Sequence, residues 1–213
     1  MNQNKIIFFC DYGSDVGLGH LFRTISIAES FNQIDSINIL FLLEKRSFFP
    51  NEIEKFNYKI FEKLNDSLNF FSYFLELILE ENPKILFIDS KKEIPRKLLF
   101  ELKIRNIKII SIDDPSEKRL ECDLVFYPPV ESAYNLRWEN FKGKYFIGWK
   151  WVALRKEFKN NKKPIQIKLK KLKKDILITM GGTDPYNLTK LIISKLDKKI
   201  YKKVNVKVLL GES

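Results

Sequence analysis

The sequence has 213 residues, 45% of them hydrophobic, and a formal charge of +11 at pH 7. That apolar content is enough for a packed core and excludes wholesale disorder, and the length suits one large domain, or one domain with part of another. Two cysteines, Cys10 and Cys122, stand far apart without Cys-x-x-Cys spacing, which argues against a zinc site or a disulfide framework.

Lys5–Cys10 reads as an apolar strand, too short for the core of a signal peptide and ended by Asp11. It leads into Val16-Gly17-Leu18-Gly19-His20-Leu21-Phe22-Arg23, and Leu21, Ile25, Ala28 and Phe31 then mark one face of a helix. Three of the eight glycines, Gly13, Gly17 and Gly19, fall in this strand-to-helix loop, and His20, the only histidine, follows at the helix start. In an open α/β sheet such a loop lies at the carboxyl edge, where ligands bind. The run is neither the dinucleotide fingerprint, since its third glycine would fall at Phe22, nor a P-loop.

Further strands are expected at Ile37–Leu43, Ile85–Asp89, Ile107–Ile112 and Leu124–Tyr127. Between them, Phe71, Phe74, Leu75, Ile78 and Leu79 share a helix face that Asn82-Pro83 ends. A second helix opens at Pro95, carries Leu98, Leu99 and Leu102, and stops near Asn106. This alternation predicts a parallel sheet covered on both faces over residues 1–147. Residues 148–171 read as a basic connector, because Lys150–Lys174 carries most of the excess charge. A lysine run of this kind is usually a solvated face, and no nucleic-acid motif accompanies it, so no specific nucleic acid is expected. From about residue 172 a new β-α-β unit begins. Asp175–Thr179 is its first strand and Gly181-Gly182 a tight turn. Asp184 is expected as N-cap with Pro185 at the first helical position, Leu188, Leu191, Ile192 and Leu196 form the helix face, and Val204–Leu210 is the second strand. A helix N-terminus after a glycine turn suits a diphosphate. No apolar run approaches the ~20 residues of a membrane span, and a cytoplasmic protein is expected.

Four runs occur in order: Gly17–Arg23, Ser111-Ile112-Asp113-Asp114, Ala153–Phe158 and Met180–Thr189. Together they resemble the UDP-sugar hydrolases of pseudaminic acid biosynthesis and the related spore-coat polysaccharide proteins, which share the two-domain GT-B fold. The resemblance implies an α/β, GT-B-like chain with an N-terminal Rossmann-like domain and the start of a second α/β domain at 172–213. It implies hydrolysis of UDP-2,4-diacetamido-2,4,6-trideoxy-β-L-altropyranose to the free sugar and UDP, without cofactor or metal. His20 would be the base that activates water, a task suited to an imidazole, with inversion at the anomeric carbon. Gly17, Gly19, Arg23, Asp89, Asp114, Gly181, Gly182, Asp184 and Asn187 are the implied substrate contacts. Arg23, one turn after His20, could steady it or pair with a carboxylate.

Cys10 and Lys91 depart from the family pattern, which often has arginine or serine at the first position and an aromatic residue or histidine at the second. The family's second domain continues beyond the point matching Ser213, so the resemblance also implies an incomplete nucleotide site, with apolar surface exposed on 172–213. Two other readings fit the same sequence. One is a GT-B glycosyltransferase acting on a UDP-sugar; the other is a non-catalytic module that binds anions through the 150–174 lysines.

Overall fold

The first unit is built on seven strands: β1 (Asn4–Cys10), β2 (Ile37–Glu44), β3 (Asn57–Phe61), β4 (Ile85–Asp89), β5 (Lys108–Ile112), β6 (Leu124–Tyr127) and β7 (Lys144–Ile147). The computed structural model describes residues 4–13, 15–32, 34, 36–62, 67–160, 174–181, 184, 186–197 and 199–211. Contacts divide the chain into two units, Met1–Asp11 with His20–Lys156, and Tyr12–Gly19 with Glu157–Ser213.

The seven strands lie in the order β3-β2-β1-β4-β5-β6-β7, every neighbouring pair parallel. Helices α1 (Gly19–Phe31), α2 (Ser67–Glu81) and α3 (Arg96–Ile104) connect them, with a short α4 (Glu131–Tyr134) between β6 and β7. Strand order reverses between β1 and β4, the switch point outside whose carboxyl ends α/β sheets bind ligands.

Register explains the core. Phe8 of β1 lies opposite Phe41 of β2 and Phe87 of β4, and the three rings form one row across the sheet, with centroids 5.3 and 5.1 Å from the central ring. Side chains alternate faces along a strand, so Phe9, Leu42 and Ile88 point to the other side. There Phe9 packs on Phe74 of α2 at 4.8 Å, and Ile78, Leu99 and Leu102 complete a buried cluster. Burying one such side chain stabilises the fold by about 1.5–3 kcal/mol. Both helix stops read from the sequence are asparagines in left-handed conformation, Asn82 (φ 44°) after α2 and Asn106 (φ 62°) after α3.

Two strands were not legible in the sequence, β3 and β7, and both lie at the edges of the sheet. An edge strand is not sandwiched between helices on both faces. Of β3 only Phe61 is buried, and none of β7 is. Neither shows the unbroken apolar run that reveals β1 or β4.

The second unit contains parallel strands β8 (Lys174–Thr179) and β9 (Val204–Leu209), joined through α6 (Leu188–Lys195) and a one-turn α7 (Ile200–Lys203). Leu177, Leu191, Leu209 and Leu210 are exposed in it. α5 (Lys156–Asn160) lies at the start of its 157–213 segment. Of the basic connector, residues 161–171 lie outside the described residues, as do Gly182, Thr183 and Pro185 of the glycine turn. Helix α6 begins at Leu188, later than the sequence suggested, and Asn187 (φ 52°) rather than Asp184 is its N-cap. Among the described residues no helix is long and apolar enough to cross a membrane.

Candidate active site

Helix α1 starts just after the carboxyl end of β1, and His20, Arg23 and Thr24 fall on one of its faces by their i, i+3, i+4 spacing. Under that face lies Asp89, the last residue of β4, paired in register with Cys10 of β1. His20 Nδ1 is 2.6 Å from Asp89 Oδ1. Arg23 donates from Nη2 to the same oxygen at 2.6 Å and from Nε to Oδ2 at 2.8 Å, a two-pronged grip. Thr24 donates its hydroxyl to the His20 carbonyl at 2.6 Å and stands 3.4 Å from Asp89 Oδ2. The Asp89 side chain is fully buried, whereas the imidazole retains 16% of its surface.

A carboxylate at Nδ1 requires the proton there. The tautomer is thereby fixed, and the Nε2 lone pair is left to accept a proton. Burial works against the Arg23 charge, but the Asp89 carboxylate, with Asp113 beyond it, outweighs burial and holds the guanidinium above its ordinary pKa. Cys10 lies close by but is inert: burial, reinforced by the Asp89 charge, pushes its thiol well above the ordinary range.

Asp89 was expected to touch substrate. Its side chain has no exposed surface, and its oxygens are held by His20 and Arg23. Asp114 is likewise drawn inward. Its carboxylate pairs with buried Lys118 at 3.1 Å and accepts from the Ser116 N–H at 2.9 Å, while its carbonyl accepts the Tyr127 hydroxyl. Lys118 also donates to the carbonyls of Ser90 (2.8 Å) and Lys92 (2.6 Å), pinning the loop after β4. The sequence reading missed two residues. Asp11 accepts from Ser90 Oγ at 2.8 Å and from the Lys91 N–H at 2.6 Å, locking the ends of β1 and β4 together. Asp113, in left-handed backbone conformation (φ 55°), reaches Arg23 Nη1 at 3.4 Å. Its place in the Asp113-Asp114 pair was the available signal.

In the loop before α1, the Gly17 N–H donates to the Gly13 carbonyl at 2.7 Å, and the φ of +77° at Gly17 favours glycine. A Cβ at Gly17 or Gly19 would meet nothing within 4 Å among the described residues.

In the second unit, Gly181, Asp184 and Asn187 line one cleft of about 600 Å³ together with Lys190 and Ser194. The Asp184 carboxylate accepts from the N–H groups of Leu188 and Thr189, each at 2.8 Å. The Thr189 N–H, with that of Leu188, holds its pKa below the ordinary aspartate value. The expected free helix N-terminus is therefore already occupied by the protein's own anion, and Lys190 brings positive charge to the cleft instead. Gly182 lies outside the described residues. Among the described residues no His/Cys/Asp/Glu cluster could hold a metal ion.

No protein-family model matches the chain. Over 97% of its length it is 30% identical to an uncharacterised protein of Methanocaldococcus jannaschii, in a match that covers 42% of that protein. Over 91% of its length it is 27% identical to the UDP-2,4-diacetamido-2,4,6-trideoxy-β-L-altropyranose hydrolase of Campylobacter jejuni, covering 66% of it. The chain thus spans less than two thirds of either relative. Among solved structures it resembles the apo form of the lipopolysaccharide outer core galactosyltransferase WaaB, with TM-score 0.51, 11% identity, and coverage of 98% of this chain and 68% of that one. It also resembles S. aureus MnaA bound to UDP, with TM-score 0.51, 13% identity, and coverage of 99% and 62%. At these identities the structural likeness establishes the fold, which is α/β and GT-B-like.

Proposed function

We propose that this chain is part of a nucleotide-sugar enzyme that hydrolyses a UDP-activated acetamido sugar, with His20 as the base. The observation that carries this reading is the 2.6 Å contact between His20 Nδ1 and buried Asp89. It leaves Nε2 of the partly exposed ring as a proton acceptor at the switch point of the sheet. The 27% identity to the Campylobacter jejuni hydrolase supports the substrate class.

In this mechanism Nε2 takes a proton from a water molecule as its oxygen attacks the anomeric carbon. The bond from that carbon to the β-phosphate oxygen breaks, and the electron pair leaves with UDP. Attack opposite the leaving group inverts the configuration. Asp89 holds the ring and stabilises the imidazolium that forms, while Arg23 keeps Asp89 in place. Gly17 and Gly19 leave space for the substrate beside the main chain. The second unit, whose own cleft is lined by Gly181, Asp184, Asn187 and Lys190, is proposed as a nucleotide-binding segment.

The test is to incubate the protein with UDP-2,4-diacetamido-2,4,6-trideoxy-β-L-altropyranose and follow the products by proton NMR. The expected result is UDP and free sugar, the latter first formed as the opposite anomer. Release of UDP only when an acceptor alcohol is added would replace hydrolysis by glycosyl transfer.

A further inference from the structure

The edge strand β7 (Lys144–Ile147) of the first unit runs into an exposed aromatic turn. It ends at Gly148, whose φ of +139° favours glycine, and Trp149–Trp151 follow as one turn of 3-10 helix. The turn is tied down. The Gly148 N–H donates to the Tyr127 carbonyl at 3.2 Å, and the N–H groups of Trp151 and Val152 donate to the carbonyls of Gly148 and Trp149 at 3.1 and 3.2 Å. The Trp151 ring packs on Phe146 and Phe126, with centroids 4.5 and 5.6 Å away. Trp149, on the same fixed turn, keeps 81% of its surface exposed. An indole held out in water forgoes the burial that a tryptophan side chain ordinarily gains.

Unpaired cations accompany the turn. Side chains alternate along β7, so Lys144 shares a face with Phe146, on which Trp151 packs, and Lys150 Nζ stands 5.3 Å over the Trp151 ring. Lys144 and Lys150 are exposed, as are Arg137 and Lys142 earlier in the chain, and none of the four has an acidic partner among the described residues. By contrast Lys5, Lys45, Lys92 and Lys108 of the same unit are ion-paired. Residues 137–151 set these four cations against one acid, Glu139. Lysines alone would be the ordinary guard of an edge strand against pairing with another chain. An exposed tryptophan works against such a guard, so protection of the edge does not account for Trp149.

Ring and charge together select the partner. The positive excess repels a second copy of this chain and attracts an anionic surface. Single-stranded nucleic acid stacks successive bases on several open rings, but Trp151 is engaged by Phe146 and Phe126, and Trp149 is the one open indole of the turn. At a bilayer one indole has a place of its own, since tryptophan settles at the depth of the headgroups, where lysines meet lipid phosphates. Apolar insertion and attraction to anionic lipid then add. We propose that β7 and the Trp149–Trp151 turn dock the first unit reversibly on an anionic phospholipid bilayer, with Trp149 entering the headgroup layer and Lys144 and Lys150 meeting lipid phosphates. The proposal is independent of the nucleotide-sugar reading.

Co-sedimentation of the full chain with vesicles of phosphatidylcholine, and of an equal mixture of phosphatidylcholine and phosphatidylglycerol, tests it at near-physiological salt, with tryptophan fluorescence read on the same samples. The protein is expected to sediment with the anionic vesicles alone, and its emission to shift to the blue. Trp149→Ala, at a position exposed enough for the fold to tolerate, removes the shift and weakens binding. Lys144→Gln combined with Lys150→Gln weakens binding by about fivefold for each lysine removed. The lysines between 162 and 174 remain in every variant, so attraction due to that segment alone survives both changes. Absence of sedimentation, equal sedimentation with neutral vesicles, or binding unchanged in either variant overturns the proposal. So does a titration with polyuridylate that produces the blue shift where anionic vesicles do not.

Discussion

Asp89 Oδ1 stands 2.6 Å from His20 Nδ1, and the same oxygen takes a hydrogen bond from Arg23. One buried carboxylate therefore fixes the tautomer of the imidazole while a guanidinium fixes the carboxylate. Asp89→Asn keeps the shape but reverses the donor pattern. Its amide oxygen turns to Arg23, the stronger donor, and its NH2 faces His20, favouring the tautomer that carries the proton on Nε2. The expected outcome is a fall of about 10²- to 10⁴-fold in kcat, with UDP affinity unchanged. Steady-state kinetics and UDP calorimetry on the same preparation check it.

Lys118 is buried against Asp114 and also holds two carbonyls of the loop after β4. Lys118→Met removes one partner of a buried ion pair and leaves the Asp114 carboxylate uncompensated. A loss of about 3–5 kcal/mol of stability is expected, measured by urea denaturation. Adding Asp114→Asn removes the stranded charge and recovers part of the loss.

How much of this was legible in the sequence follows from the range of each interaction. His20 and Arg23 are three residues apart on one helix, so their meeting could be read from spacing alone. Asp89 lies 69 residues from His20 and 66 from Arg23. Only the parallel pairing of β1 with β4 puts it beneath α1, and local pattern carries no such information. Asp89 meets His20 only through that long-range pairing, whereas Asp114 pairs with Lys118 only four residues on. The five inner strands were visible because burial on both faces demands continuous apolar runs. The edge strands β3 and β7 face no such demand and were missed. The start of α6 was placed too early because Asp184 looks like an N-cap, and it does cap the helix, but from four residues before Leu188.

That cap makes a pH prediction. Hydrogen bonds from the Thr189 and Leu188 N–H groups depress the Asp184 pKa in the folded chain. The contribution is therefore complete above the ordinary aspartate value of about 3.9 and is lost as pH falls through the lower folded value. Amide hydrogen exchange at Leu188 and Thr189, corrected for the intrinsic pH dependence, is expected to lose protection below about pH 4. Asp184→Ala is expected to show that loss already at neutral pH. Protection unchanged in the variant would remove Asp184 from the start of α6.

The most direct test of the account is the turnover of His20→Ala with UDP-2,4-diacetamido-2,4,6-trideoxy-β-L-altropyranose, measured beside its UDP affinity. The ring removed is the one whose Nε2 is held free for proton transfer by Asp89. The account predicts a loss of about 10²- to 10⁴-fold in kcat with UDP binding intact. A variant that hydrolyses the sugar nucleotide at the rate of the unaltered protein would contradict it.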